Sequence, residues 1–122
     1  MAWTVRLAGE FVTELHELRE PVQIELLAHA RLLAQFGPQL GRPRADTLKG
    51  SRYPNMKELR FSADGGVWRV AFAFDPQREA VLLAVGNKAG TSEARFYRDL
   101  IRLADRRFAN HLSGINKDTT RN

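Results

Sequence analysis

Residues 56–85 read MKELRFSADGGVWRVAFAFDPQREAVLLAV, and this stretch decides the fold. Three apolar runs of strand length are separated by two turn-forming segments, Gly65-Gly66 and Asp75-Pro76-Gln77-Arg78. We therefore predict strands over 56–61, 67–74 and 80–85 that form an antiparallel meander. The second run alternates, which places on one face Trp68, Val70, Phe72 and Phe74, and on the other Arg69, Ala71 and Ala73. The third run is apolar on both faces, which predicts a central strand or the partner of an N-terminal strand.

The segments before the meander predict one strand and a helical hairpin. Residues 3–7 alternate between apolar and polar side chains, which indicates a short first strand. Apolar residues at helical spacing then predict a helix from Glu10 to about Arg19, where Pro21 disfavours continuation. Pro21 fits the first turn of a second helix, which Gly37-Pro38 ends. This helix is apolar around most of its circumference, so we expect it to be the central buried helix.

Residues 37–55 contain many glycines and prolines and predict a long irregular loop. After the meander, Ser92 can cap a C-terminal helix whose apolar face carries Phe96, Leu100, Leu103, Ala104 and Phe108. Its other face carries Arg95, Arg98, Arg102 and Arg106. The polar segment 113–122 has no periodicity and is predicted to be a disordered tail, so a single α+β domain is expected over residues 1–112.

Composition restricts the class of protein. The chain of 122 residues has no cysteine, which excludes disulfides, thiolate catalysis and cysteine metal sites. No apolar run is long enough to cross a bilayer and no signal core is evident, so we expect a cytoplasmic protein without a membrane partner. The net charge is +5, and it is segregated: residues 8–36 carry net −3, whereas residues 42–60 carry net +4. A segregated basic surface suits a phosphate-bearing ligand or an acidic protein partner, although a solvated surface is the simpler explanation.

The order of elements and three sequence segments resemble a known family. Residues 55–61 (NMKELRF), 68–72 (WRVAF) and 81–88 (VLLAVGNK) are similar to the HigB-like, phage Gp49-related toxins of the RelE/ParE superfamily. The pattern consists of a Glu-Leu-Arg strand, an arginine on the next strand and a lysine at the end of the third. The resemblance covers about residues 3–110, and the ordered set carries it rather than any single motif.

The resemblance implies a toxin of a type II toxin–antitoxin pair, which cleaves mRNA on the translating ribosome without a metal or other cofactor. It also implies neutralisation by a cognate antitoxin, with a helix-turn-helix partner of the HigA kind that alone would contact operator DNA. By position, Arg60, Arg69 and Lys88 match the family pattern. The match of Lys57 is weaker, because many relatives have an apolar residue there.

The residues themselves suggest a cationic site. Strand alternation puts Glu58 and Arg60 on one face, which Arg69 on the adjacent strand can share. The two arginines could bind a scissile phosphate, with Glu58 as their orienting partner or as a proton acceptor. Alternatively, Glu58 and the arginines form a cross-strand ion-pair cluster that only secures the register of the strands. Lys88 could neutralise the phosphate or protonate a leaving group, or be a solvated loop lysine. Further candidates for RNA contact are Lys49, Arg52, Tyr53, Lys57, Asn87 and Tyr97, of which Tyr97 could equally be a packing residue.

The histidines and the fold bear on other classes of function. His16, His29 and His111 show no spacing typical of a metal site, so a metalloenzyme and a histidine-based ribonuclease are disfavoured. The same fold could also belong to a ParE-like inhibitor of DNA gyrase that is not an enzyme, or to a degenerate toxin that acts as a corepressor. The antitoxin could contact either the acidic helical hairpin or the basic face.

Overall fold

The computed structural model describes residues 2–120, and for residues 117–120 the backbone alone. Five strands and three helices follow one another as β1 (Thr4–Leu7), α1 (Gly9–Glu17), α2 (Glu20–Phe36), β2 (Ala45–Thr47), β3 (Met56–Ala63), β4 (Gly66–Phe74), β5 (Glu79–Asn87) and α3 (Glu93–Thr120), with a short 3-10 turn at Gly37–Gln39 between α2 and β2. The fold is α+β, and the predicted strand, helical hairpin, meander and C-terminal helix are all present.

The sheet has the strand order β1-β5-β4-β3-β2. Strands β3, β4 and β5 form the antiparallel meander, and β1 pairs in parallel with β5. The predicted role of the third meander strand is therefore confirmed, because β5 lies between β4 and β1 and is buried over residues 80–84.

Two cores lie on opposite faces of the sheet. On one face α1 and α2 bury Phe11, Val22 and Leu26 against the strands, whereas on the other α3 buries Phe96, Leu100 and Phe108. Strand β4 contributes Val70 and Phe72 to the first core and Ala71 and Ala73 to the second, as its alternation predicted. The small alanines on the α3 face let this helix pack closely on the sheet.

The structure differs from the sequence-based predictions in three places. The predicted irregular loop contains β2, which pairs antiparallel with β3 through Ala45–Thr47. Helix α2 is not a central buried helix, because it covers one face of the sheet and leaves Ile24 57% and Leu27 43% exposed. Helix α3 continues to Thr120, past residue 112 where the ordered domain was predicted to end, and only residues 121–122 of the predicted tail lie wholly outside the described part of the chain.

Candidate functional site

The strongest candidate site is an open cavity of about 570 Å³ at the end of the meander where β3 finishes and β4 begins. We call it the cationic pocket; its lining includes Arg60, Gly66, Val67, Arg69, Asn87 and Lys88. Three of the predicted catalytic residues therefore meet there. Among the lining residues that the structure describes, none carries a carboxylate, so the pocket is locally cationic.

The two arginines are direct cross-strand partners. Arg60 on β3 is paired with Arg69 on β4, and Arg69 is paired in turn with Gly86 on β5. Directly opposed residues lie on the same face of a sheet, and like charges in this position weaken strand pairing. A bound anion would relieve that repulsion, so the arrangement suits a site that binds a negatively charged group.

A chain of hydrogen bonds holds Arg69 in place beneath the pocket. Its Nε donates to the Tyr97 hydroxyl at 2.7 Å, and that hydroxyl donates to Glu58 Oε1 at 2.9 Å. The direct distance between Arg69 Nε and Glu58 Oε1 is 3.8 Å, so the tyrosine oxygen bridges the ion pair. The guanidinium also lies 5.5 Å from the centroids of the Phe96 and Tyr97 rings. Arg69 is 3% exposed, and its side chain is therefore preorganised.

Burial shifts the pKa values of the hydrogen-bonded residues Glu58 and Tyr97. Loss of solvation raises the pKa of Glu58, and this effect outweighs the opposing hydrogen bond from Tyr97 and the positive charges of Arg69 and Arg60. Asp46, which is paired with Glu58 across β2 and β3, contributes to the same rise. Burial and the neighbouring Glu58 likewise raise the pKa of Tyr97. Tyr97 therefore stays protonated at neutral pH and acts as a hydrogen-bond donor.

Two glycines shape the walls of the site. A Cβ on Gly66 would lie 2.8 Å from Asn87 Nδ2, so the absence of a side chain makes room for Asn87. Asn87 Oδ1 in turn accepts a hydrogen bond from the Ala89 backbone N–H, which shapes the segment that carries Lys88. A Cβ on Gly86 would lie 2.8 Å from Phe96 Cε1, so the first part of α3 rests directly on the β5 backbone beside Arg69.

Four of the predicted RNA-binding residues lie elsewhere. Lys57 belongs to the opposite face of β3, because strand residues alternate and its neighbours Met56 and Glu58 face α3. Tyr53 packs edge-on against Phe108 at a centroid distance of 4.9 Å, at the start of β3 rather than its end. Lys49 and Arg52 are exposed on the same loop, whose Ser51 hydroxyl donates to Asp105 on α3. The structure does not bring these four residues to the cationic pocket.

Sequence reasoning missed two contributors to the site. Asp46 was overlooked because β2 was not predicted, although it faces Glu58. Gly66 was identified only as a turn residue, whereas it lines the pocket beside Asn87. Its position could have been inferred from the meander, since the turn that follows β3 must lie near the end of β5.

These features define an α+β protein with a preorganised cationic site at one end of an antiparallel meander. Residues 13–109 match the model of the family described as phage derived protein Gp49-like, and the chain belongs to this family. Its fold is RelE-like: a free-state mutant of the Escherichia coli toxin RelE superposes with a TM-score of 0.59 at 15% identity, over 83% of this chain and 95% of that one.

Two relatives from Mycobacterium tuberculosis are more similar in sequence. The protein named Putative toxin HigB2 is 47% identical over 89 residues, which are 72% of this chain and 44% of that protein. The protein named Putative toxin HigB3 is 48% identical over 82 residues, which are 67% of this chain and 69% of that protein. The match to HigB2 thus spans less than half of its length. The chain is accordingly a HigB-like member of the Gp49-like family, as the strand pattern predicted, and its fold is RelE-like.

Proposed function

We propose that this protein is the toxin of a type II toxin–antitoxin pair and acts as a ribosome-dependent mRNA endonuclease in the cytoplasm. The observation that carries the proposal is the direct opposition of Arg60 and Arg69, with Lys88 lining the same pocket. The names of the HigB relatives support the toxin role. In the part of the chain that the structure describes, no helix is both long and apolar enough to span a membrane.

The reaction that fits this site is internal transesterification of RNA. The ribose 2′-hydroxyl passes its proton to a general base, which the ribosome would supply, and its oxygen attacks the adjacent phosphorus while the bond from phosphorus to the 5′-oxygen breaks. The products are a 2′,3′-cyclic phosphate and a 5′-hydroxyl end, with a proton delivered to the leaving oxygen. The transition state gains negative charge on the phosphoryl oxygens, and fixed cationic donors stabilise that charge.

The pocket residues divide these tasks by their position. Arg69 is held rigidly by Tyr97 and Glu58, so its remaining N–H groups can meet phosphate oxygens without reorganisation. Arg60 is exposed and supplies a second guanidinium opposite the first, whereas Lys88 lies where it can neutralise the phosphate or protonate the leaving oxygen. Glu58 and Tyr97 are positioning residues, and Asn87 shapes the pocket wall.

The proposal includes protein partners. A cognate antitoxin of the helix-turn-helix HigA kind would neutralise the toxin and would carry the contact with operator DNA. The ribosome would supply the programmed mRNA and the groups that the pocket lacks. The acidic hairpin of α1 and α2 and the basic face both remain candidate surfaces for the antitoxin.

The first test is brief induction of the free protein, followed by mapping of new 5′-hydroxyl RNA ends. We expect growth arrest with codon-linked cuts in translated messages. Arg60→Gln is expected to lower the cleavage rate by about 10²–10³-fold, because one donor to the transition state is lost. The matched control Arg31→Gln removes an exposed cation of α2 that lies away from the cationic pocket, and it should retain cleavage.

Two outcomes would point to the other functions. DNA breaks without RNA cuts would indicate gyrase poisoning of the ParE kind and would contradict the proposal. Absence of toxicity and of cleavage on purified, mRNA-programmed ribosomes would indicate a degenerate toxin that acts only as a corepressor. Assay on such ribosomes therefore decides between the enzyme and both alternatives.

A further inference from the structure

We propose that the outer face of α3, together with Lys49 and Arg52, is a docking track for the backbone of double-stranded RNA. This surface is separate from the cationic pocket and does not require that the pocket cleave RNA. We call it the arginine track; its helical members are Arg95, Arg98, Arg102 and Arg106, all of which are exposed.

The spacing of these arginines builds one continuous stripe. At 100° per residue the four side chains leave α3 within an arc of about 80°, and they extend over about 16 Å of helix axis. Neighbouring positions three or four residues apart are separated by about 5–6 Å. Each strand of a duplex carries a phosphate for about every 3.4 Å of axis, so the stripe can follow roughly five phosphates.

The loop before β3 widens the stripe on one side. Asp105, on the flank of the track, accepts hydrogen bonds from the Ser51 hydroxyl at 2.5 Å and from the Arg52 backbone N–H at 3.1 Å. These bonds occupy the carboxylate and fix the loop against α3, which places exposed Arg52 beside the helix. The basic loop residues thus extend the arginine track, although they are remote from the pocket.

The charges of the track are largely uncompensated. Arg98 lies 3.6 Å from Asp99, but both side chains are 61% exposed, and such surface pairs contribute little. Among residues 2–116, whose side chains the structure describes, no ion pair involves Arg95, Arg102 or Arg106. Four repelling cations on one helix face are unfavourable for folding alone, so a polyanionic ligand is the natural counterpart.

Duplex RNA fits this surface better than a single strand. Sequence-tolerant single-strand binding relies on aromatic side chains that stack on the bases. The aromatic residues of α3 face the sheet instead: Phe96 and Phe108 are buried, and the Tyr97 hydroxyl is engaged by Arg69 and Glu58. A rigid row of cations without a stacking platform can recognise phosphates held at a fixed spacing, as in a duplex.

An acidic protein is the less suitable partner for the same face. Protein interfaces depend on buried apolar or aromatic anchors at their centre. The large apolar side chains that are exposed within the described residues are Val12, Ile24, Leu27, Phe36 and Val67, and none of them belongs to α3.

The test measures binding of a short RNA duplex by fluorescence anisotropy at several salt concentrations. Arg102→Gln/Arg106→Gln is expected to weaken duplex binding about tenfold and to reduce the slope of log K against log salt by about two, since each lost phosphate contact removes about one unit. The matched control Arg19→Gln/Arg31→Gln removes the same charge from the helical hairpin and should change the slope little. Circular dichroism confirms that both variants are folded.

Several results would overturn the proposal. An equal loss in the two double variants would mean that only net charge matters, and an equal loss for a single strand of the same length would mean that the track does not select duplexes. If Arg102→Gln/Arg106→Gln binds the duplex normally but binds the antitoxin more weakly, the arginine track is a protein-binding surface instead. The duplex-binding assay contains no ribosome and measures no cleavage, so failure of the cleavage proposal would be recognised separately from failure of this one.

Discussion

The pairing of Arg60 with Arg69 shows what single residues contribute to this site. Alternation along β3 and β4 predicted that Glu58, Arg60 and Arg69 share a face, and the structure brings them together as predicted. The bridging role of Tyr97 could not be predicted, because it depends on how α3 is placed over the sheet. The sequence did not indicate that Tyr53 and Lys57 lie away from the cationic pocket, because charge and residue type alone do not reveal which face a side chain occupies.

Glu58 provides a prediction at the residue scale. Its pKa is raised above the ordinary value of 4.5 because burial disfavours the carboxylate. The folded state therefore holds this proton more tightly than the unfolded chain, and the resulting stabilisation is fully present below pH 4.5 and lost as the pH rises through the raised pKa. We expect the free energy of unfolding of the wild type, relative to Glu58→Gln, to fall over this range.

Urea denaturation of both proteins at a series of pH values measures the effect. The comparison is informative because glutamine retains an oxygen that can accept the Tyr97 hydrogen bond but does not titrate. A difference that stays constant with pH, or that rises with pH, would contradict the assigned direction.

At the scale of helices and strands, the elements with regular apolar spacing could be predicted from the sequence. Strand β2 and the exposed side of α2 could not. The helical hairpin and the meander follow from apolar spacing and turn residues, and they lie close to their predicted positions. Strand β2 has only three residues and depends on pairing with β3, so nothing local to its sequence indicates it. The exposed side of α2 was mispredicted because its apolar residues exceed what one sheet face can cover.

Arg107 joins three elements and was also overlooked. It lies on the apolar face of α3, is 6% exposed, and donates two hydrogen bonds to the Glu14 carboxylate of α1 and one to the Leu83 carbonyl of β5. Its helical spacing from Leu100 and Ala104 places it among core residues, which is the signal that could have identified it.

We expect Arg107→Ala to lower the free energy of unfolding by about 2–4 kcal/mol, because charged hydrogen bonds are lost and the Leu83 carbonyl is left without this donor. Arg106→Ala removes a neighbouring but exposed arginine and should change stability by less than about 0.5 kcal/mol. Chemical denaturation of the two variants measures both changes in the free energy of unfolding. Similar losses in the two variants would show that Arg107 does not join α3 to the rest of the fold.

At the scale of the whole molecule, the helical hairpin and α3 pack on the two faces of one shared sheet. Helices α1 and α2 cover one face and α3 the other, while β4 and β5 contribute alternate side chains to both cores. Charge also differs between the two faces, because residues 8–36, which include the hairpin, carry net −3, whereas the outer face of α3 carries Arg95, Arg98, Arg102 and Arg106. The sequence predicted a single domain, and the shared strands give that prediction a measurable consequence.

We expect one cooperative unfolding transition, since neither layer can lose its sheet face without exposing the strands that support the other. The two tryptophans report on one side of the molecule: Trp68 packs against the hairpin-side core, and Trp3 lies edge-on to Phe74. About half of the helical signal in far-ultraviolet circular dichroism comes from the other side, because α3 has 28 residues against 9 in α1 and 17 in α2. Denaturation curves followed by tryptophan fluorescence and by circular dichroism should therefore coincide. A circular dichroism transition that precedes the fluorescence transition would mean that α3 detaches independently, and the pocket would then lose Tyr97 and the support of Arg69 before the sheet unfolds.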